Sequence, residues 1–135
     1  NKSKSYGAGM QDLEGLKFIL NNNIEYENIF KISGRYYLNN FFNFINFMNN
    51  EIIVKKINNN PNNIITILFK INKKNIIELI NFFQNSNDDF INCLGYEVIF
   101  SKFINKQIQN NNNVKYIDNI GVEGYISVSG DFVKV

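Results

Sequence analysis

The sequence predicts a single α/β domain built on a mixed sheet flanked by helices. Three observations carry that expectation. The 135 residues match the size of one domain with one core. Apolar residues make up 44% and charged residues 19%, enough to fill a core and too apolar for intrinsic disorder. Segments with a helical apolar period alternate with short β-branched runs bounded by Asn, Gly and Pro.

The first expected element is a helix over residues 12–20, where Leu13, Leu16, Phe18, Ile19 and Leu20 recur at helical spacing before Asn21-Asn22-Asn23 stops them. Asp12 and Glu14 then fall in its first turn, where the dipole favours acids, and Gly7-Ala8-Gly9 reads as an entering loop. Residues 28–32 form a short apolar run with β-branched Ile29 and Ile32, a buried strand that Ser33-Gly34 ends. The aromatic stretch that follows predicts a short helix over 40–49. Residues 51–57 and 63–71 have strand character, and the Asn58–Asn62 turn cluster with Pro61 makes them a hairpin or neighbours.

Ile76, Ile77, Leu79, Ile80 and Phe83 mark a helical face over 75–83. Ser86 to Asp89 reads as an N-cap segment opening a second helix that runs to about residue 106, weakened at Gly95 by roughly 1 kcal/mol relative to Ala. Residues 107–113 form a polar surface loop. Tyr116-Ile117 follows, then Gly121-Val122-Glu123-Gly124 as a turn needing positive φ with Glu123 exposed. Tyr125, Ser127 and Ser129 alternate with Ile126 and Val128 as a last strand.

Composition excludes several functions. The formal charge of +2 comes from scattered residues, the basic pairs Lys55-Lys56 and Lys73-Lys74 being the longest, so no nucleic-acid stripe is present. No stretch is long and apolar enough for a membrane span, and the N-terminus has no signal-peptide core, so the chain reads as cytoplasmic. Cys93 is the sole cysteine and histidine is absent, which removes disulfides within the chain, multi-cysteine metal sites and histidine-activated nucleophiles. Proton transfer falls to a carboxylate, a tyrosine or a lysine.

Asn, Ile, Lys, Phe and Tyr supply 83 residues, Asn alone 28, as A/T-rich codon bias would produce. Residues against that drift carry more information: the sole arginine Arg35, the sole proline Pro61 and eight glycines. Arg35 follows Ser33-Gly34 beyond a strand end, where open α/β sheets bind ligands, and its planar fork suits a phosphate or carboxylate. The same spacing also allows a structural pair with Glu25, Glu27 or a carbonyl. Asp88-Asp89 caps a helix more readily than it holds a divalent cation. Glu97, if it faces a cleft, is a candidate general base; a solvent-facing glutamate is the plainer reading. Gly7-Ala8-Gly9 has neither the lysine of a P-loop nor a dinucleotide fingerprint.

Tyr6-Gly7-Ala8-Gly9, the helix after it over residues 12–20, and the run Tyr26-Glu27-Asn28-Ile29-Phe30-Lys31-Ile32-Ser33-Gly34-Arg35-Tyr36-Tyr37-Leu38 resemble glycosyltransferase-like proteins of polysaccharide gene clusters and large viruses. Asn92-Cys93-Leu94-Gly95-Tyr96-Glu97-Val98-Ile99-Phe100 and Gly121-Val122-Glu123-Gly124 look like that family's downstream pieces. The resemblance implies the C-terminal part of a GT-A fold, a fragment without the upstream half that binds the nucleobase. It implies a nucleotide-sugar donor and a glycan or other hydroxyl acceptor. Lys31, Ser33, Gly34, Arg35, Tyr36 and Tyr37 would line the donor site, and Glu97 would deprotonate the acceptor. Where such enzymes carry an Asp-x-Asp metal motif this chain has Ser33-Gly34-Arg35, so a divalent cation lacks its usual ligands and Arg35 takes its place. The rival expectation is a non-catalytic binding or assembly domain with Arg35 in an ion pair and the Phe41 to Phe47 segment as a partner surface.

Overall fold

The structure, a computed structural model, describes residues 4–49, 51–92, 94–126 and 129–135. The chain runs α1 (Lys4–Asn21), β1 (Asn28–Ile32), β2 (Tyr36–Leu38), a 3-10 turn (Phe44–Phe47), β3 (Ile52–Val54), β4 (Lys56–Ile57), β5 (Asn60–Ile64) and β6 (Leu68–Asn72). It continues through a short 3-10 turn (Lys73–Asn75), α2 (Ile76–Asn85), α3 (Asn87–Ile91), α4 (Tyr96–Gln109), β7 (Val114–Tyr116), β8 (Val122–Tyr125) and β9 (Phe132–Lys134).

The central sheet is mixed, in the order β1-β6-β3-β7. β1 and β3 both run antiparallel to β6, while β3 and β7 are parallel. Hence β1, β3 and β7 point the same way, and their carboxyl ends share one end of the sheet. Short strands of Ile, Val and Phe suit such a position because both faces are covered. β6 is buried at all five residues. Its Phe69 and Ile71 face the helices with Leu13, Leu16, Phe83, Phe90, Phe100 and Phe103, and its Leu68 faces the opposite core of Phe47, Ile53, Ile120 and Val122. Each fully buried Phe contributes about 1.5–3 kcal/mol of transfer free energy, so the helix-side core carries most of the apolar stabilisation.

The expected single α/β domain with a mixed sheet and helices is therefore present. The helices lie on one face only; the other is covered by the Phe44–Phe47 turn and a three-stranded antiparallel sheet, β2-β8-β9. Gly7-Ala8-Gly9 is not a loop but part of α1. Gly9 is there for close approach, since a Cβ would lie 2.5 Å from Phe90 Cζ. The long helix expected from residue 88 is two helices, with Gly95 in extended backbone as the N-cap of α4 and its carbonyl accepting the Ile99 N–H. Ser86 precedes α3, but its hydroxyl donates back to the Phe82 carbonyl.

The expected helix over 40–49 is only the 3-10 turn, capped by the Asn43 side chain accepting the Ile45 N–H. Asparagine's local hydrogen bonding competes with a longer helix here. Asn58 and Asn59, both in left-handed backbone, make a two-residue hairpin turn between β4 and β5, so Pro61 lies inside β5. Gly121 has the expected positive φ of 68°, yet residues 122–125 are strand β8 and not a turn. Cys93, Ser127 and Val128 lie outside the described residues, and with them part of the expected last strand. Among the described residues no helix is long and apolar enough to cross a membrane.

Candidate functional site

β1 is an edge strand, and its side chains alternate between the two cores. Phe30 joins the sheet-side core, whereas Ile29 and Lys31 point toward the helices. A lysine on the inner side of a strand is costly unless its charge is matched. Here it is matched by α1: Lys31 Nζ lies 3.2 Å from Asp12 Oδ2, the two side chains being 16% and 15% exposed. The same ammonium donates to Ser33 Oγ at 2.9 Å and to the Thr66 carbonyl, and sits 5.5 Å from the centre of the Tyr96 ring. Tyr96, from the first turn of α4, donates its hydroxyl to Asp12 Oδ2. Thr66, between β5 and β6, donates Oγ1 to Glu97 Oε1 at 3.3 Å.

One connected network thus runs from Glu97 through Thr66 and Lys31 to Asp12 and Tyr96. Burial lowers the Lys31 pKa, while the Asp12 carboxylate, and more weakly Glu97, oppose the fall. Burial and the same two carboxylates hold the Tyr96 pKa well above its ordinary value, so the phenol stays a donor. Both Asp12 contacts fall on Oδ2.

Beyond β1 the chain turns sharply. The Ser33 N–H extends the ladder to the Ile67 carbonyl at 2.8 Å, and the Tyr36 N–H closes the turn on the Ser33 carbonyl at 3.0 Å. Gly34 and Arg35 occupy the exposed tip, and a side chain at Gly34 would meet no protein atom. The turn rests on β8, where a Cβ at Gly124 would lie 2.4 Å from the Arg35 carbonyl oxygen. A cleft of about 320 Å³ opens between this turn and α1, lined by Ala8, Gln11, Asp12, Lys31, Ser33, Gly34 and Arg35. A second, apolar cleft along Leu16, Ile19, Ile29 and Phe69 shares Gln11, Asp12 and Lys31 with it.

Of the residues singled out in the sequence, Lys31, Ser33, Gly34 and Arg35 share this cleft. Tyr36 and Tyr37 do not line it. Tyr36 packs into the sheet-side core, and Tyr37 is exposed on β2 with its hydroxyl on Glu123, a hydrogen bond that raises its pKa. Glu123 is not the free turn residue expected: Asn39 Nδ2 donates to it at 3.2 Å, and Lys134 approaches to 3.7 Å. Among the described residues Arg35 forms no ion pair, so the expected pairing with Glu25 or Glu27 is not found. Glu97 does not line the cleft and joins it only through Thr66. Asp89 pairs with Lys102 at 2.6 Å, which accounts for one of the two α3 acids.

Sequence reading missed Asp12, Thr66 and Tyr96 as site residues. Asp12 had a legible signal: it stands three residues after Gly9 and four before Leu16, so an acid interrupts the inner stripe of α1 and requires a partner. Among the described residues no three acidic, cysteine or histidine side chains gather as a metal site, and the one carboxylate in the cleft is paired with an ammonium. The donor set does not fit a cation. It fits an anion. No family model, curated protein or solved structure matches this chain.

Proposed function

We propose that the chain is a glycosyltransferase-like domain whose cleft at the carboxyl end of β1 receives the diphosphate of a nucleotide-sugar donor. The observation that supports this reading is that Lys31, Ser33 and Arg35 line one cleft and that Arg35 forms no ion pair among the described residues. Donors that converge on a strand end suit phosphoryl oxygens, and the Arg35 fork suits bidentate contact. In this reading Asp12 faces the ligand and accepts the proton of the acceptor hydroxyl through Oδ1, the oxygen left by Tyr96 and Lys31. Glu97, set back behind Thr66, helps keep Lys31 charged.

Titration with pyrophosphate and with UDP, GDP, CDP and ADP tests it. At least one should bind, and Arg35→Ala should weaken that binding by about tenfold, the loss of one charge-assisted contact. If none binds, the reading fails and a non-catalytic partner-binding domain is preferred. One observation favours that second reading: Phe41, Ile45 and Met48 are 67%, 72% and 62% exposed along one charge-free segment.

A further inference from the structure

β3 and β7 end at the same end of the sheet as β1, and the loops beyond them enclose a second cleft of about 300 Å³. β1 and β7 are three strand spacings apart, about 14 Å. Crevices outside the carboxyl ends of parallel strands are where open α/β sheets hold ligands. The wall of this one is polar and rich in donors: Lys55, Lys56, the hairpin-turn residues Asn58 and Asn59, and Tyr116, with Asp118 the one carboxylate.

Its two ammonium groups are held in place. Lys56 Nζ lies 4.0 Å from the centre of the Tyr116 ring, and Lys55 Nζ donates to the Asp118 backbone carbonyl. Neither forms an ion pair with a carboxylate among the described residues. Among the described residues the Tyr116 hydroxyl has no hydrogen-bond partner, and it is closed off from solvent. Burial raises its pKa, so it keeps its proton. Tyr116 therefore serves the cleft through its ring, which holds the Lys56 ammonium over its face.

We propose that this second cleft is a binding site for a phosphate-type oxyanion, held by Lys55 and Lys56 with the Asn58 and Asn59 amides as neutral donors. The site is separate from the Arg35 cleft and does not depend on the donor reading. A monoanionic or dianionic oxygen cluster matches two cations and several neutral donors better than any cation does. The lone Asp118 side chain leaves the lining with a net positive charge.

The test is an amide chemical-shift titration of the whole chain at constant ionic strength, with inorganic phosphate and with glycerol 3-phosphate in parallel. Phosphate should shift the amides of residues 55–59 and 116–118, and Arg35→Ala should leave those shifts unchanged. Lys56→Met keeps the apolar stem over Tyr116 and removes the charge, and should weaken binding by about tenfold or more. Equal affinity for the two probes assigns free phosphate, and tighter binding of glycerol 3-phosphate assigns a phosphorylated small molecule. The proposal is overturned if these amides do not shift in the wild type. It is also overturned if Lys56→Met and Lys55→Met, both with dispersed spectra of a folded chain, bind as the wild type does.

Discussion

Replacing Asp12 by asparagine probes whether the cleft is preorganised. The Asp12–Lys31 separation of 3.2 Å corresponds to a gross attraction of about 5 kcal/mol at an effective dielectric constant of about 20. Much of that is offset by the desolvation of both groups. Removing one partner of a fully buried pair costs about 3–5 kcal/mol. This pair keeps some solvent contact, and asparagine still offers Tyr96 an acceptor, so Asp12→Asn should cost about 2–3 kcal/mol in denaturant unfolding at pH 7. The deficit should also depend on pH. Because burial lowers the folded Lys31 pKa, the native state holds fewer protons than the unfolded chain between that value and the ordinary 10.5, and folding stability rises with pH across the interval. Without Asp12 the folded pKa falls further and the interval begins at lower pH, so the variant should recover part of its deficit as the solution is made alkaline. A cost below about 0.5 kcal/mol, the scale of an exposed ion pair, with no pH dependence, would refute the argument that this charge pair shapes the cleft.

Lys70 is fully buried in β6 and its ammonium nitrogen has no hydrogen-bond partner among the described residues, so Lys70→Met should stabilise the fold by about 1–3 kcal/mol, read as a higher melting temperature. Since burial lowers the Lys70 pKa, that advantage should shrink as pH rises toward 10.5 and the wild-type amine sheds its proton; a variant less stable than wild type at pH 7 would contradict this. Gly124→Ala should push the Ser33–Tyr36 turn off β8 and weaken binding in the Arg35 cleft, because the new methyl would meet the Arg35 carbonyl. Unchanged ligand affinity in that variant would show that the turn does not need β8 for its shape.

The strand at residues 28–32 was legible in the sequence, with the observed bounds, because β-branched residues and a Ser-Gly break are local signals, but it is a half-buried edge strand and not the buried strand expected. Arg35 stood out because it runs against the compositional drift, and the structure leaves its side chain exposed at a cleft. The inner stripe of α2 was equally plain. Local signals failed where a contact distant in sequence decided the outcome. Gly9 belongs to a helix because Phe90 packs against it, and Gly95 divides two helices where periodicity alone ran through it. The site shows the same division. Sequence identified the strand-end turn and its cation, but the charge that matches Lys31 comes from Asp12, and the hydroxyl that steadies Asp12 comes from Tyr96, 84 residues away. Residue order along the chain does not encode which side chains a buried charge will meet; the packing of α1 and α4 over β1 does.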